Sequence, residues 1–180
     1  MSMVQTILAL TWFFLPAGVA NMAAAISRYL PILDYPLDGN KKFYGQPIFG
    51  SHKTYRGLFF GLLAAIIFVY IQRWLAPSLA EYNIVDYQHS DIWLFGLMMG
   101  LGVMLGDLAR SFIKRRFGLP PGQPWFPWDQ LDWIIGAIIF TYWYQPLPWG
   151  MILIAVILAV VVHPLVNYLS YLAKIQNHKF

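Results

Sequence analysis

Long apolar runs separated by short charged stretches set the hydrophobic pattern of the chain. Residues 57–72 and 92–106 carry no charged side chain, and residues 4–30 carry only Arg28. A final uncharged run of 41 residues, 133–173, is too long for one bilayer crossing, because a spanning helix needs ~20 residues. Runs of this length and composition indicate transmembrane helices.

Two prolines divide the last apolar run. Gln145-Pro146-Leu147-Pro148 interrupts it, and prolines spaced this closely break a helix. The pattern therefore predicts five transmembrane helices. The fourth, 133–144, is short, which implies a recessed start or a locally thin bilayer. Glycines spaced four apart, at 96 and 100 and at 102 and 106, predict close helix packing along the third.

The composition places the chain among integral membrane proteins. Hydrophobic residues make up 59% of the 180 residues and charged residues only 11%, which is too little charge for a soluble surface. The predicted fold class is an all-α integral membrane protein with five transmembrane helices, in which two structured cytoplasmic loops form a polar cleft. Residues 1–180 are expected to form one transmembrane domain. The chain has no cysteine, which excludes disulfides and cysteine metal sites.

The basic residues are distributed unevenly between the two sides that five helices would define. Eleven of the twelve Lys and Arg residues fall on one side, and only Arg73 falls on the other. The positive-inside rule therefore predicts a multi-pass protein of the cell membrane with its amino terminus outside. The carboxyl terminus and both charged loops, which we define as residues 31–56 and 110–128, would then be cytoplasmic.

The first charged loop has features of a phosphate-binding loop. It contains glycines that permit tight turns, and Lys53, Thr54 and Arg56 lie immediately before the second apolar run. Backbone N–H groups at a helix start favour an anion, and nearby cationic side chains add to that preference. Ordinary juxtamembrane positive charge produces a similar pattern, so this alternative stays open on the loop alone.

The second charged loop lies between two groups of acidic residues. Asp107, Ser111 and Lys114 are spaced i, i+4 and i+7, so they share one stripe if the third helix continues past its apolar run. Asp129 and Asp132 are spaced i, i+3 and share a face at the start of the fourth helix. The spacing predicts that three carboxylates converge near several cations, which is what Mg²⁺ with a nucleoside triphosphate requires.

Structural explanations of the same residues also stay open. Asp129 could cap the fourth helix, and the basic run 114–116 could bind anionic lipid headgroups or fix topology. Asp107 could form a purely structural ion pair. It follows a charge-free run of 15 residues, however, and a carboxylate at that depth is costly without a partner. The convergence of carboxylates and cations favours a metal–phosphate site.

Four motifs in these loops resemble the CDP-archaeol synthases, the archaeal branch of the CTP-dependent phosphatidate cytidylyltransferase superfamily. The motifs are PLDGNKKFYG, FGSHKTYRG, GDLARSFIKRRFGLPPG and DQLDWIIGA, and they occur in the family's order across residues 34–137. The chain departs from the family in carrying Ser51-His52 where Asp-Asn is frequent. Five helices and the chain length are also similar to the family.

The resemblance implies a reaction, a metal ion and roles for particular residues. The family transfers CMP from CTP to the archaeal ether lipid 2,3-bis-O-(geranylgeranyl)-sn-glycerol 1-phosphate, giving CDP-archaeol and pyrophosphate with Mg²⁺. The implied metal ligands, which together with Lys114 are also the implied catalytic residues, are Asp107, Asp129 and Asp132. The implied CTP- and phosphate-binding residues are Lys53, Thr54, Arg56, Gly57, Ser111, Lys114, Arg115 and Gly122.

Two other functions agree less well with the chain. A CDP-alcohol phosphotransferase also carries membrane aspartates, but its pattern needs glycine and further aspartates that the chain lacks around Asp132. A small transporter would need paired charges at mid-bilayer, where His163 is the only ionisable candidate. The expected partners are CTP, the archaeal ether lipid phosphate and membrane lipid. No nucleic acid is expected, because a membrane location explains the basic and aromatic residues together.

Overall fold

Five α-helices account for most of the chain in the computed structural model. The structure describes residues 1–120 and 123–172, and in the last helix it describes side chains only as far as Val161. The side chain of His163 lies outside that part. The helices are α1 (Met3–Ile26), α2 (Tyr55–Leu75), α3 (Ile92–Arg116), α4 (Trp128–Thr141) and α5 (Trp149–Leu172). Five helices with a break at 145–148 are therefore confirmed.

Three of the helices are long and apolar enough to cross a membrane, judged over the described residues. These are α1 with the 3₁₀ turn that follows it, α2 and α3. The 14 residues of α4 make it about 21 Å long, which is less than the ~30 Å hydrocarbon core of a bilayer. The chain is thus a helical membrane protein, while the number of crossings remains a prediction.

The fourth helix starts earlier than its apolar run. The uncharged segment begins at Trp133, whereas α4 begins at Trp128 and so includes Asp129 and Asp132 in its first turns. Helical hydrogen bonding does not require apolar side chains, and these two carboxylates are neutralised by cations of other segments. The helix therefore carries its charged end into the functional region.

The backbones of α3 and α4 are in direct contact. A methyl group added at Gly102 would collide with the backbone of Gly136, and one at Gly106 would collide with the carbonyl oxygen of Asp132. Because these positions lack side chains, the helices approach closely, as the glycine spacing on α3 predicts. The contact places Asp107, the residue after Gly106, beside the first turns of α4.

We expect Gly106→Ala to destabilise the protein, because the added methyl group has no space against Asp132. Overpacking of this kind costs about 1–3 kcal/mol of the free energy of unfolding, which thermal unfolding in detergent would detect. Gly150→Ala is the matched control, since a methyl group there meets nothing within 4 Å. An unchanged unfolding temperature for Gly106→Ala would contradict the direct contact of α3 and α4.

An apolar core joins α1, α2 and α3. Phe13 of α1 and Phe95 of α3 are almost fully buried, with ring centroids 5.4 Å apart, and Val69 of α2 and Met99 of α3 are buried with them. Between helices of a membrane protein, close packing of large apolar side chains stabilises the contact through van der Waals attraction. The core therefore gives α3 a fixed position from which its charged end extends.

The first charged loop is ordered by a small hairpin. Strand β1 (Lys42–Phe43) pairs antiparallel with strand β2 (Gln46–Pro47). Tyr44 and Gly45 form the turn, and their positive φ angles of 49° and 78° suit a tight two-residue connection. The hairpin is an addition to the all-α fold that the hydrophobic pattern did not predict, because strands of two residues leave no periodic signal.

Asp38 organises the rest of this loop. Its carboxylate accepts hydrogen bonds from the backbone N–H groups of Asn40 at 2.9 Å, Phe49 at 2.9 Å and Gly50 at 3.1 Å. Burial alone would raise the pKa of Asp38, but the backbone donors outweigh it and hold this pKa below its ordinary value. An ionised aspartate therefore fixes the path of the loop towards α2.

Candidate active site

Three carboxylates from two helices converge on one guanidinium group. Arg110 of α3 donates from Nη2 to Oδ1 of Asp107 at 2.5 Å and from Nη1 to Oδ1 of Asp129. Its Nε lies 2.7 Å from Oδ2 of Asp132, which is an ion-pair distance without hydrogen-bond alignment. One cation thus bridges the three acidic residues that the sequence predicts to act together.

Two lysines complete the charge balance. Nζ of Lys53 lies 2.5 Å from Oδ2 of Asp107, and Nζ of Lys114 lies 3.0 Å from each carboxylate oxygen of Asp129. We define the carboxylate–cation cluster as these three aspartates with Lys53, Arg110 and Lys114. Its three negative and three positive charges cancel, and partly buried pairs are screened less than surface pairs. The cluster therefore links the first charged loop to α3 and α4.

The cluster lines a cavity of about 1220 Å³. Arg28 and Arg115 also lie in the cavity wall, so the described residues of the wall provide five cationic side chains and three carboxylates. This is a formal excess of two positive charges. A recessed wall with excess charge of one sign attracts ligands of the opposite sign. The cavity is therefore suited to an anionic ligand.

The same cavity has an apolar wall. It is lined there by Leu10, Phe14, Val19 and Met22 of α1 and by Leu158 of α5. Ligand sites combine apolar surface, which provides contact area, with a few polar groups that fix orientation. A space with both a charged and an apolar wall suits a ligand with a phosphate group and a hydrocarbon portion.

Several predicted binding residues line this cavity. Ser111 and Arg115 contribute buried side chains from α3, while Thr54 and Gly57 line it from the start of α2. Thr54 also caps α2, because its Oγ1 accepts a hydrogen bond from the N–H of Gly57 at 3.3 Å. Arg115 also donates to the carbonyl oxygen of Leu119, which fixes the turn after α3.

Two other predicted binding residues are placed differently. The Arg56 guanidinium is buried, donates to the carbonyl oxygen of Leu30 at 2.5 Å and lies 2.8 Å from Oδ1 of Asp34. These contacts anchor the first charged loop to α2 and account for the burial of Arg56 without a phosphate. Gly122 lies outside the described residues. A phosphate-binding role for Arg56 and Gly122 stays a prediction.

Asp129 does not cap the fourth helix, contrary to one of the structural explanations of this residue. The residue at the cap position of α4 is Pro127, which offers no side-chain hydrogen bond. Oδ2 of Asp129 instead accepts a hydrogen bond from the backbone N–H of Trp125, at 2.7 Å, in the segment before the helix. The carboxylate therefore orders that segment in addition to pairing with Arg110 and Lys114.

Sequence reasoning missed Arg110. Its i, i+3 spacing from Asp107 is typical of a helical ion pair and could have indicated one of its contacts. Its contacts with Asp129 and Asp132 depend on how closely α3 packs against α4. Spacing along one helix carries no information about that distance.

Arg116 was also missed. It donates to the carbonyl oxygens of Phe43 and Pro47, each at 2.5 Å, and its guanidinium carbon lies 4.9 Å from the ring centroid of Phe112. The residue therefore holds the hairpin of the first charged loop against the end of α3. No feature of the sequence indicates which carbonyl groups the hairpin would present.

The donor chemistry of the cluster suits a divalent cation. Carboxylate oxygens are the side-chain ligands that Mg²⁺ prefers, and three of these carboxylates already share one positively charged group. Among the side chains of residues 1–120 and 123–161, however, no three Asp, Glu or His are placed to hold a metal ion directly. Arg110 fills the position where they meet. The assignment of Asp107, Asp129 and Asp132 as metal ligands stays a prediction.

The apolar helices and the two walls of the cavity define a class of protein. It is an integral membrane protein with a cavity suited to an anionic, partly apolar ligand. A family model described as CarS-like, CDP-archaeol synthase, matches residues 3–180. The CDP-archaeol synthase of Methanocaldococcus jannaschii is 36% identical over 92% of this chain and 93% of its own length. That of Pyrobaculum islandicum is 34% identical over 93% of this chain and 97% of its own. The chain belongs to the CDP-archaeol synthase family.

A solved structure shares the fold. It is described as an intramembrane enzyme for archaeal membrane lipid biosynthesis, and it superposes with a TM-score of 0.71. The alignment covers 87% of this chain and 91% of that chain at 23% identity. The arrangement of helices is therefore one that a known intramembrane enzyme adopts. The resemblance to the family is confirmed by the family model and by the similar synthases.

Proposed function

We propose that the protein transfers CMP from CTP to 2,3-bis-O-(geranylgeranyl)-sn-glycerol 1-phosphate, giving CDP-archaeol and pyrophosphate in membrane phospholipid biosynthesis. Membership of the CDP-archaeol synthase family supports this function. The structural observation that carries it is that one cavity has the charged cluster on one wall and apolar side chains on another. One space thus offers contacts both to a triphosphate and to a lipid chain.

The reaction needs positioning and charge stabilisation rather than a general base. An oxygen of the lipid phosphate, already ionised at neutral pH, attacks the α-phosphorus of CTP. The bond from that phosphorus to the bridging oxygen breaks, and pyrophosphate leaves with the bonding electrons. Rate enhancement in such transfers comes mainly from aligning the two phosphates and stabilising the charge that develops on their oxygens.

The cationic side chains that line the cavity support a role in that stabilisation. Lys53 approaches from the first charged loop, whereas Lys114 and Arg115 approach from α3. Cations from two directions can hold different phosphates of CTP, and charge-assisted hydrogen bonds are stronger in a partly buried wall. The hydroxyl groups of Thr54 and Ser111 can donate further hydrogen bonds to phosphate oxygens.

We propose Mg²⁺ as the cofactor, held by Asp107, Asp129 and Asp132. Bound Mg²⁺ would neutralise phosphate charge and polarise the phosphoryl group as a Lewis acid. The oxygen donors of these residues and their convergence on one positive charge support the assignment. Removal of divalent metal with a chelator is expected to abolish CMP transfer, and added Mg²⁺ is expected to restore it.

A direct assay tests the proposed function. Purified protein is incubated with Mg²⁺, the geranylgeranyl ether lipid phosphate and CTP that carries a label in its cytosine ring. Label should enter the lipid phase, with one pyrophosphate released for each label transferred. The same lipid without its phosphate should accept none. Label that stays in the aqueous phase with every lipid phosphate tried would reject the function.

We propose five membrane crossings, with the amino terminus outside and the active site on the cytoplasmic side. The excess of basic residues in the charged loops supports this orientation. Ser51 in the first charged loop and Ser78 between α2 and α3 are both exposed, so each can be changed to cysteine in this cysteine-free chain.

An impermeant thiol reagent added to intact cells is expected to label Ser78→Cys but not Ser51→Cys. Both variants should react once the membrane is permeabilised, which shows that each cysteine is accessible. Labelling of Ser51→Cys in intact cells would reverse the orientation. Labelling of both before permeabilisation would mean that α2 does not cross the membrane.

A further inference from the structure

Arg110 occupies the point at which the three carboxylates meet. Its side chain is 18% exposed, and the aspartate side chains around it are 7–19% exposed, so solvent screens these ion pairs only in part. A guanidinium group with donors on several edges can bridge acceptors that a single ammonium group cannot reach together. Among the described residues, Arg110 is therefore the side chain that joins all three carboxylates.

The three carboxylates depend on Arg110 to different degrees. Asp107 also contacts Lys53, and Asp129 also contacts Lys114. Arg110 is the one ion-pair partner of Asp132 in the described part of the chain. Without Arg110, the least exposed carboxylate of the cluster would have no close cation among the described residues, and a buried carboxylate is costly to keep ionised without one.

We propose that Arg110 is a stand-in cation, which holds the three carboxylates together in the ligand-free protein and moves off them when the metal–nucleotide complex enters. This role rests on the proposed function. Because the charges of the cluster already balance, a divalent ion alone would add uncompensated positive charge. A triphosphate entering with the ion brings its own negative charges. Arg110 lines the same cavity and can turn to the phosphates without leaving it.

Metal binding in the absence of nucleotide tests the role of Arg110. Mn²⁺ is the probe, because its free and bound forms are distinguished by electron paramagnetic resonance. The wild-type protein should bind Mn²⁺ weakly. Arg110→Gln, which leaves the carboxylates without their shared cation, should bind it about tenfold more tightly.

Arg115→Gln is the matched control. It removes one positive charge from the same cavity wall, but the contact that Arg115 makes is with the carbonyl oxygen of Leu119 rather than with the carboxylates. A general change in the electrostatic field would act similarly in both variants. We expect Arg115→Gln to change Mn²⁺ affinity by less than about twofold, and an equal gain in the two variants would overturn the stand-in role.

Arg110→Lys keeps the test decisive if Arg110→Gln does not fold. It retains the charge, but a single ammonium group cannot contact all three carboxylates, so Mn²⁺ affinity should rise about threefold. Wild-type affinity in each folded Arg110 variant would overturn the proposal. The Mn²⁺ measurement needs neither CTP nor lipid. A negative Mn²⁺ result therefore does not contradict CMP transfer, and a negative transfer assay does not contradict the Mn²⁺ result.

Discussion

Asp129→Asn and Asp132→Asn are each expected to lower the rate of CMP transfer by about a thousandfold or more while the protein stays folded. Each substitution keeps the shape of the side chain and removes one negative charge from the carboxylate–cation cluster. At position 129, the asparagine oxygen can still accept the hydrogen bond that the Trp125 N–H donates at 2.7 Å. The segment before α4 should therefore keep its path.

Initial rates of label transfer, measured beside thermal unfolding, test this expectation. Asp86→Asn is the matched control, because Asp86 is exposed, pairs with His89 and lies between α2 and α3, outside the cluster. It should retain the wild-type rate. A wild-type rate in Asp129→Asn or Asp132→Asn would remove that residue from the proposed metal ligands, whatever the chelator experiment shows.

The helices and the composition of the cavity wall could be predicted because they depend on local patterns. Apolar runs and the proline-containing break indicate which segments form helices, although α4 begins at Trp128, before its apolar run. The spacing of Asp107, Ser111 and Lys114 puts them on one stripe, and all three line the cavity. Which residues share a helix face follows from regular helical geometry, so it can be predicted without knowing any tertiary contact.

The partners of the charged residues could not be predicted in the same way. Arg110 meets Asp129 and Asp132 because Gly106 lets α3 lie directly against α4. Arg56 meets Asp34 because the first charged loop folds back over the start of α2. Several carboxylates were available to each arginine, so only the packing of segments distant in sequence selects among them.

Charge-preserving substitutions in the basic run 114–116 distinguish phosphate binding from simple membrane anchoring. Lys114→Arg and Arg115→Lys preserve charge, so both should be harmless if the basic run only fixes topology. Nζ of Lys114 is buried and contacts both oxygens of Asp129, a position that a planar guanidinium cannot take without displacing its neighbours. If Lys114 and Arg115 bind phosphate, each substitution is expected to lose one phosphate contact that strengthens in the transition state. That loss costs ~2–4 kcal/mol, or about thirty- to a thousandfold in the rate of CMP transfer.

Substitution of Arg116 is expected to have an effect on the transfer rate between that of a phosphate-binding residue and that of a neutral surface residue. Helical geometry turns it ~100° from Arg115 and so suggests a neutral control, but its contacts with Phe43 and Pro47 fix the hairpin. Arg116→Lys should lose the paired contacts and slow transfer about three- to tenfold by loosening the loop that carries Lys53. Lys41→Arg, an exposed change in that loop, should be neutral. Equal, small effects at 114, 115 and 116 would mean that the basic run serves only to hold the protein at the membrane surface.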